Sequence, residues 1–172
     1  MRPGIQTERL TLRELTHDDL DFVASMLSDP EVMRYYPKAL TRAESLGWIE
    51  KQRARYTMDG HGLWLVSLVG SGEPVGQVGL ALQHVDDGHE PEIGWLLHRP
   101  YWGHGYASEA AIAVRDHAFV ALGMPYVISL IRPENEPSRR VAQRVGMIVQ
   151  RRAIFHGYEH DVWRLDRADC AQ

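Results

Sequence analysis

Glu92-Ile-Gly-Trp-Leu-Leu-His-Arg-Pro-Tyr-Trp-Gly-His-Gly-Tyr-Ala-Ser-Glu-Ala110 is the stretch whose reading decides the fold. Its first part, to about His98, reads as a strand. A proline and two aromatics follow, then Gly103 and Gly105, then an alanine-rich run. Ala107, Ala110, Ala111, Val114 and Ala118 recur at i, i+3, i+4, i+7 and i+11, which gives one apolar helix face. Glycines at such a junction let backbone N–H groups converge. The helix start leaves its first N–H groups without partners, and the macrodipole adds positive potential. The product is a site for a phosphate-like anion.

Gly-x-Gly alone also marks plain turns, so a ligand-free strand-to-helix loop is the competing reading. The dinucleotide fingerprint fits poorly. Ser108 stands where its third glycine belongs, and the nearest acidic candidate, Glu134, lies too far along. No Gly-Lys-Ser/Thr follows the glycines, which removes the P-loop reading.

A chain of 172 residues, 44% hydrophobic and 24% charged, predicts one globular domain over residues 1–172. Its formal charge of −4 supplies no global basic field for nucleic acid. One cysteine, Cys170, excludes an intrachain disulfide framework and a multi-cysteine zinc site; it is expected to be a bystander in the tail. No apolar run approaches the ~18 residues of a membrane span, and the start Met-Arg-Pro-Gly has no apolar signal region. The expectation is a cytoplasmic protein without membrane contact.

Read in order, Arg9 to Leu15 alternates as a first strand, and Thr16 caps a helix carrying Leu20, Val23, Met26 and Leu27 on one face. Thr41-Arg-Ala-Glu44 is a capping box that opens a second helix toward Tyr56. Leu63 to Val69 and Pro74 to Gln83 form a hairpin, and the central strand follows from about Glu90 after the polar turn His84 to His89. The helix at roughly 105–121 stops at Gly123, and Tyr126 to Ile131 suits a buried strand. Pro137 stands in the first turn of a helix to Arg144, which Gly146 ends. Met147 to Phe155 and Tyr158 to Leu165 pair across His156-Gly157. The fold class is α/β (α+β), one domain with a mixed, mostly antiparallel central sheet flanked by helices.

Four blocks in this order carry a resemblance. They are Thr7-Glu-Arg-Leu-Thr-Leu-Arg13, Ser28-Asp-Pro-Glu-Val-Met-Arg-Tyr-Tyr-Pro37, Gly103-His-Gly-Tyr-Ala-Ser-Glu-Ala110, and Pro133-Glu-Asn-Glu-Pro-Ser-Arg-Arg-Val141 with Gly146-Met147. Over nearly its whole length the chain resembles the GNAT superfamily of N-acetyltransferases, in particular its ribosomal-protein-alanine acetyltransferase-like (RimJ/RimL-type) branch. That resemblance implies acetyl-CoA as cosubstrate and direct acetyl transfer to an amine. It also implies a pyrophosphate on Gly103, His104, Gly105, Tyr106, Ala107 and Ser108, and a strand splayed after Gly94 that offers the backbone of Trp95, Leu96 and Leu97 to the pantetheine arm. Asn135 is implied as a further coenzyme contact, and a homodimer is plausible for the family. Two positions depart from the pattern: Pro100 stands where the loop often carries Gln or Arg, and Ala142 where many members have the tyrosine proposed to protonate the thiolate. The branch commonly has serine at the place of Ser138.

Each chemical candidate has a plainer reading beside it. Glu92 is a base candidate if burial raises its pKa, with Glu90 as rival; otherwise it is a solvated residue at a strand start. Ser138 either hydrogen-bonds the leaving thiolate or caps and fills a helix start. Asn135 is also a cap candidate. Arg140, with Arg139 and Arg144, either meets the 3′-phosphate of coenzyme A or forms a solvated face. Tyr35, Tyr36 and Trp64 supply aromatic surface in segments that flank the acceptor cleft in the resembling family; they equally suit the edge of a core. His156 and His160 flank Gly157 in a β-prone segment and share no helical face, so no metal is expected. The function expected is an acetyl-CoA-dependent N-acetyltransferase acting on a protein N-terminus or a small-molecule amine. The alternative is a catalytically silent coenzyme A-binding module.

Overall fold

The computed structural model describes residues 4–170; the ends of the expected 1–172 domain, residues 1–3 and 171–172, lie outside the described residues. Eight strands form one sheet: β1 (Ile5–Gln6), β2 (Leu10–Glu14), β3 (Leu63–Leu68), β4 (Pro74–Val85), β5 (Gly88–Leu97), β6 (Tyr126–Ile131), β7 (Ile148–Phe155) and β8 (Tyr158–Asp166). Their spatial order is β1-β2-β3-β4-β5-β6-β8-β7, and every pairing is antiparallel except β5 with β6. The helices are α1 (Leu20–Leu27), α2 (Arg42–Met58), α3 (Tyr106–Val120), α4 (Glu136–Val145) and α5 (Arg167–Cys170). The class is the one the sequence predicts. No helix among the described residues is long and apolar enough to cross a membrane.

Register assigns the two faces of the sheet. Trp64, Val78 and Trp95 stand opposite one another across β3, β4 and β5. Trp64 meets His117 of α3 edge-on, and Trp95 bonds Ser138 of α4, so α3 and α4 cover that face. Side chains alternate along a strand, so Leu65, Gln77 and Leu96 point to the other face. There Gln77 accepts from the Trp48 indole of α2 at 3.0 Å, which places α2 on that side, with α1 packed beside it.

α2 begins where its capping box predicts: Thr41 and Glu44 exchange bonds at 3.2 and 2.8 Å. Ser45, Ile49, Gln52 and Tyr56, at i, i+4, i+7 and i+11, are its buried stripe. Tyr56 ties three elements, since its hydroxyl accepts from the Leu15 N–H at 3.0 Å and donates to the Leu63 carbonyl. The main core lies along α3, where Ala110, Ala111, Val114 and Ala118 are fully buried against strand residues such as Val78, Leu80 and Ile93.

The structure differs from the sequence expectation in several places. The first strand gains a two-residue partner, β1, and the helix expected after Thr16 opens with a 3-10 turn, His17–Asp19. β5 starts at Gly88 rather than near Glu90, because the polar turn is a tight hairpin in which Asp86 takes φ 52°. Cys170 is not a bystander in a frayed tail. It closes the four-residue α5 and packs, half-buried, against the main core.

Candidate active site

Three pieces of structure meet around the middle of β5. The first is the turn between β5 and α3. The strand ends with the Leu97 carbonyl accepting from the Trp102 indole at 2.9 Å and the His98 N–H bonded to Val75 O at 2.9 Å. Gly103 and Gly105 then adopt φ 81° and 79°, left-handed values that a side chain would strain. Gly105 is the N-cap of α3 and no side chain caps the helix, so the N–H groups of Tyr106, Ala107 and Ser108 face outward. A Cβ built on Gly103 would meet nothing within 4 Å. The turn is therefore open above its N–H groups and fits an anion.

An ion pair bolts this turn to the N-terminal strands. Arg9 donates from Nε to Glu109 at 2.6 Å and from Nη1 to the His104 carbonyl at 3.0 Å, while its guanidinium lies 4.8 Å from the Tyr106 ring centroid. Thr7 and the Arg9 N–H bond the second Glu109 oxygen at 2.6 and 3.0 Å. Burial alone would raise the Glu109 pKa, but the bonds from Thr7 and Arg9 outweigh it and hold the carboxyl below its usual value. The Thr7-Glu-Arg9 block thus has a local job, setting the pitch of the turn. His104 stacks on Tyr106 at 5.4 Å. The Ser108 hydroxyl is buried and accepts from Arg144 of α4 at 3.4 Å, so only its backbone faces the turn.

The second piece is the gap between β5 and β6. Their ladder has one register pair, Glu92 with Ile128. The Ser129 hydroxyl, buried at the fork, donates to the Ile93 carbonyl at 2.8 Å. Beyond it, the Trp95 indole crosses to the Ser138 hydroxyl of α4 at 3.2 Å. Asn135 is the N-cap of α4, accepting from the Ser138 N–H at 3.2 Å. Trp95 and Leu96 are half-buried, and Leu97 is buried. Ala142, one turn after Ser138, is fully buried. Arg140 is exposed and lies 3.4 Å from Glu136 of its own helix, and Arg139 turns back to the Pro133 carbonyl at 3.3 Å.

The third piece is the cleft between α2 and the other face of the sheet. Glu92, half-buried as a residue, points its carboxyl into it. Burial pushes its carboxyl up to about 7, against the pull of the Gln83 amide, the Leu130 N–H, Arg55 and Lys51. A carboxyl at that value exchanges protons near neutrality. Tyr36 faces Glu92. Although 39% of the residue is exposed, its hydroxyl is enclosed, and burial together with the Glu92 charge pushes its pKa up. Tyr35 is half-buried, with Arg34 at 5.7 Å from its ring centroid. Glu90, the rival base, is paired with Arg151 at 2.7 Å.

Trp64 is not brought to this cleft. At 8% exposure it lies on the α3 face against His117, because strand alternation turns it away from Glu92. Sequence reading missed Ser129, Lys51, Gln52, Arg55, Gln77 and Gln83. The signal present was the i, i+3, i+4, i+7 spacing of Trp48, Lys51, Gln52 and Arg55, which fits any helix face. Two surface cavities of about 360 and 320 Å³ share no residue with the turn or the cleft. Among the described residues no group of three or more His, Cys, Asp or Glu is placed to hold a metal ion.

A glycine turn, a forked sheet and a near-neutral carboxyl thus converge on β5. The chain belongs to the acetyltransferase (GNAT) domain family, which matches residues 9–148. It is an acetyltransferase, and that family uses acetyl-CoA. Among its relatives is an uncharacterised N-acetyltransferase, YnaD, of Bacillus subtilis (strain 168), 31% identical over 83% of this chain and 81% of that protein. An acetyltransferase from Agrobacterium tumefaciens str. C58 superposes with TM-score 0.84 at 32% identity, covering 97% and 96% of the two chains. The fold, though little of the sequence, is shared with Mycobacterium smegmatis RimJ in complex with CoA-disulfide, at TM-score 0.77 and 18% identity over 99% and 88%.

Proposed function

We propose that this protein transfers the acetyl group of acetyl-CoA directly to a primary amine, within a complex that holds both substrates. The observation that carries the reading is Glu92, a carboxyl at about 7, set beside the fork between β5 and β6.

Gly103 to Ser108 hold the pyrophosphate through backbone N–H groups. Trp95, Leu96 and Leu97 present strand backbone to the pantetheine arm and polarise the acetyl carbonyl. Asn135 keeps α4 in place beside that arm, and Arg140 contributes positive potential near the adenosine end. Acetyl-CoA supplies the acyl group as a thioester. Glu92 takes the ammonium proton, directly or through one water, so that the neutral nitrogen forms the C–N bond while the C–S bond breaks. Ser138 Oγ accepts from the Trp95 indole, which leaves its own proton free to point at the departing sulfur. Ala142 supplies no acid, so the hydroxyl or solvent returns the proton. Tyr35 and Tyr36 line the acceptor end of the cleft.

Thiol release from acetyl-CoA across a panel of amines tests the reading. Amine-dependent release is expected, with thermal stabilisation by coenzyme A and none by NADH. Coenzyme A binding without release from any amine would overturn it and leave a silent binding module.

A further inference from the structure

The cleft around Glu92 is short of negative charge. Lys51 and Arg55 lie one turn apart on α2, flanking the buried Gln52 that looks at the sheet; Arg55 is half-buried and Lys51 exposed. Neither makes an ion pair within 4.0 Å among the described residues. Among the described residues the Arg55 guanidinium has only amide partners, Gln52 Oε1 at 3.2 Å and Gln83 Oε1 at 3.5 Å. Both cations sit below their usual pKa values, first because of burial. Two further donors are unmatched: the amide nitrogens of Gln52 and Gln77, residues 0% and 1% exposed, have no hydrogen-bond partner among the described residues. Such orphaned donors are costly in a folded protein.

Against this surplus stands Glu92, already approached by Gln83 and Leu130 and only partly ionised near neutrality. Asp59, one turn beyond Arg55, adds a field at Arg55 but no contact. A bound amine worsens the balance at the Glu92 end, because it arrives as a cation. An acceptor that also carries an anion corrects it. The carboxylate or phosphate then pairs with a guanidinium whose planar fork suits either group.

Building on the amine-acetylation reading, we propose that the acceptor is an amine bearing a carboxylate or phosphate, which Arg55 and Lys51 bind while its amino group faces Glu92. Polycationic amines are disfavoured by the same two charges.

The test compares matched acceptors by thiol release. Amino acids are set against their carboxamides, and O-phosphoethanolamine against ethanolamine, so that the two arms separate carboxylate from phosphate. Wild type should favour the anionic member of at least one pair by tenfold or more in kcat/KM. Arg55→Gln should reduce that preference to under threefold, Lys51→Gln should reduce it less, and Arg55→Lys should retain part of it. Thermal stabilisation by coenzyme A certifies that each variant is folded. Equal or better use of the neutral members by wild type, or a preference that survives Arg55→Gln, overturns the inference while leaving amine acetylation standing. Should no amine release thiol, acetyl transfer to amines fails separately. Binding of N-acetyl amino acids against their carboxamides in the presence of coenzyme A then decides: carboxylate-selective binding lost in Arg55→Gln upholds the site, and indifference sinks it.

Discussion

The turn at Gly103–Tyr106 and the cleft beneath α2 do opposite things with the same central strand. The turn is made of backbone. Its donors are N–H groups, its shape comes from two left-handed glycines, and its one elaborate side-chain feature, Arg9 with Glu109, only steadies it. The cleft is made of side chains drawn from α2, β4, β5 and the segment around Tyr36, and its character is electrostatic. A backbone site tolerates changes of side chain but not of conformation. A side-chain site changes its chemistry with a single substitution. Coenzyme binding and acceptor choice should therefore respond to different mutations.

Glu92→Gln should give the largest effect. Loss of a general base is expected to lower kcat by ~10²- to 10⁴-fold while coenzyme A affinity hardly moves. In wild type the rate should rise as pH passes about 7, the value to which Glu92 is pushed, because the ionised form is the working base. That rise should vanish in the variant. Stability supplies an independent check on the same group. A carboxyl whose folded pKa is raised contributes stability that is present at low pH and lost as pH rises through the folded value. Relative to Glu92→Gln, wild type should thus be less stable at pH 8.5 than at pH 5, by about 1 to 3 kcal/mol in urea unfolding. Parallel pH profiles of the two proteins, in rate and in stability, would remove Glu92 from the cleft chemistry.

Gly105→Val attacks the other region. At φ 79° a β-branched residue is strained, and its side chain would crowd the Arg9 guanidinium, 3.5 Å from the Cβ position. Coenzyme A affinity should fall about tenfold or more, roughly 1.4 kcal/mol, with circular dichroism unchanged. The preference among acceptors should stay as in wild type. A folded variant with undiminished affinity would separate the turn from the coenzyme.

The smallest effect belongs to Arg9→Ala. The pair with Glu109 is partly exposed, with side chains 46% and 20% accessible. Such pairs contribute at most about 1 kcal/mol. A loss of coenzyme affinity of about three- to fivefold is expected by calorimetry, most of it at low salt. If acceptor preference shifted as much as coenzyme affinity, the two regions would be coupled through β5.

Much of the first region is legible in the sequence. Gly103 and Gly105 followed by the alanine periodicity of α3 announce an uncapped helix start, because left-handed backbone and helix spacing are local properties written in adjacent residues. Of the second region the sequence offers only Glu92 and the two tyrosines, and it leaves Trp64 open between the acceptor cleft and the edge of the core. Which of the two it joins depends on the register of β3 with β4 and β5, and so on where each hairpin turn falls. Ser129 reads as an ordinary strand residue, and only the fork puts it against Ile93.

By itself, then, the sequence determined the order of strands and helices, the glycine turn before α3 and the family, since each rests on contiguous patterns. Tertiary structure decided that β5 and β6 part just after Glu92, two residues before the splay the resemblance implies, that the Glu92 carboxyl is enclosed enough to reach about 7, and that Lys51 and Arg55 stand near it with no ion pair among the described residues. The physical reason is that desolvation and charge balance are sums over neighbours, and these neighbours come from elements far apart in the chain.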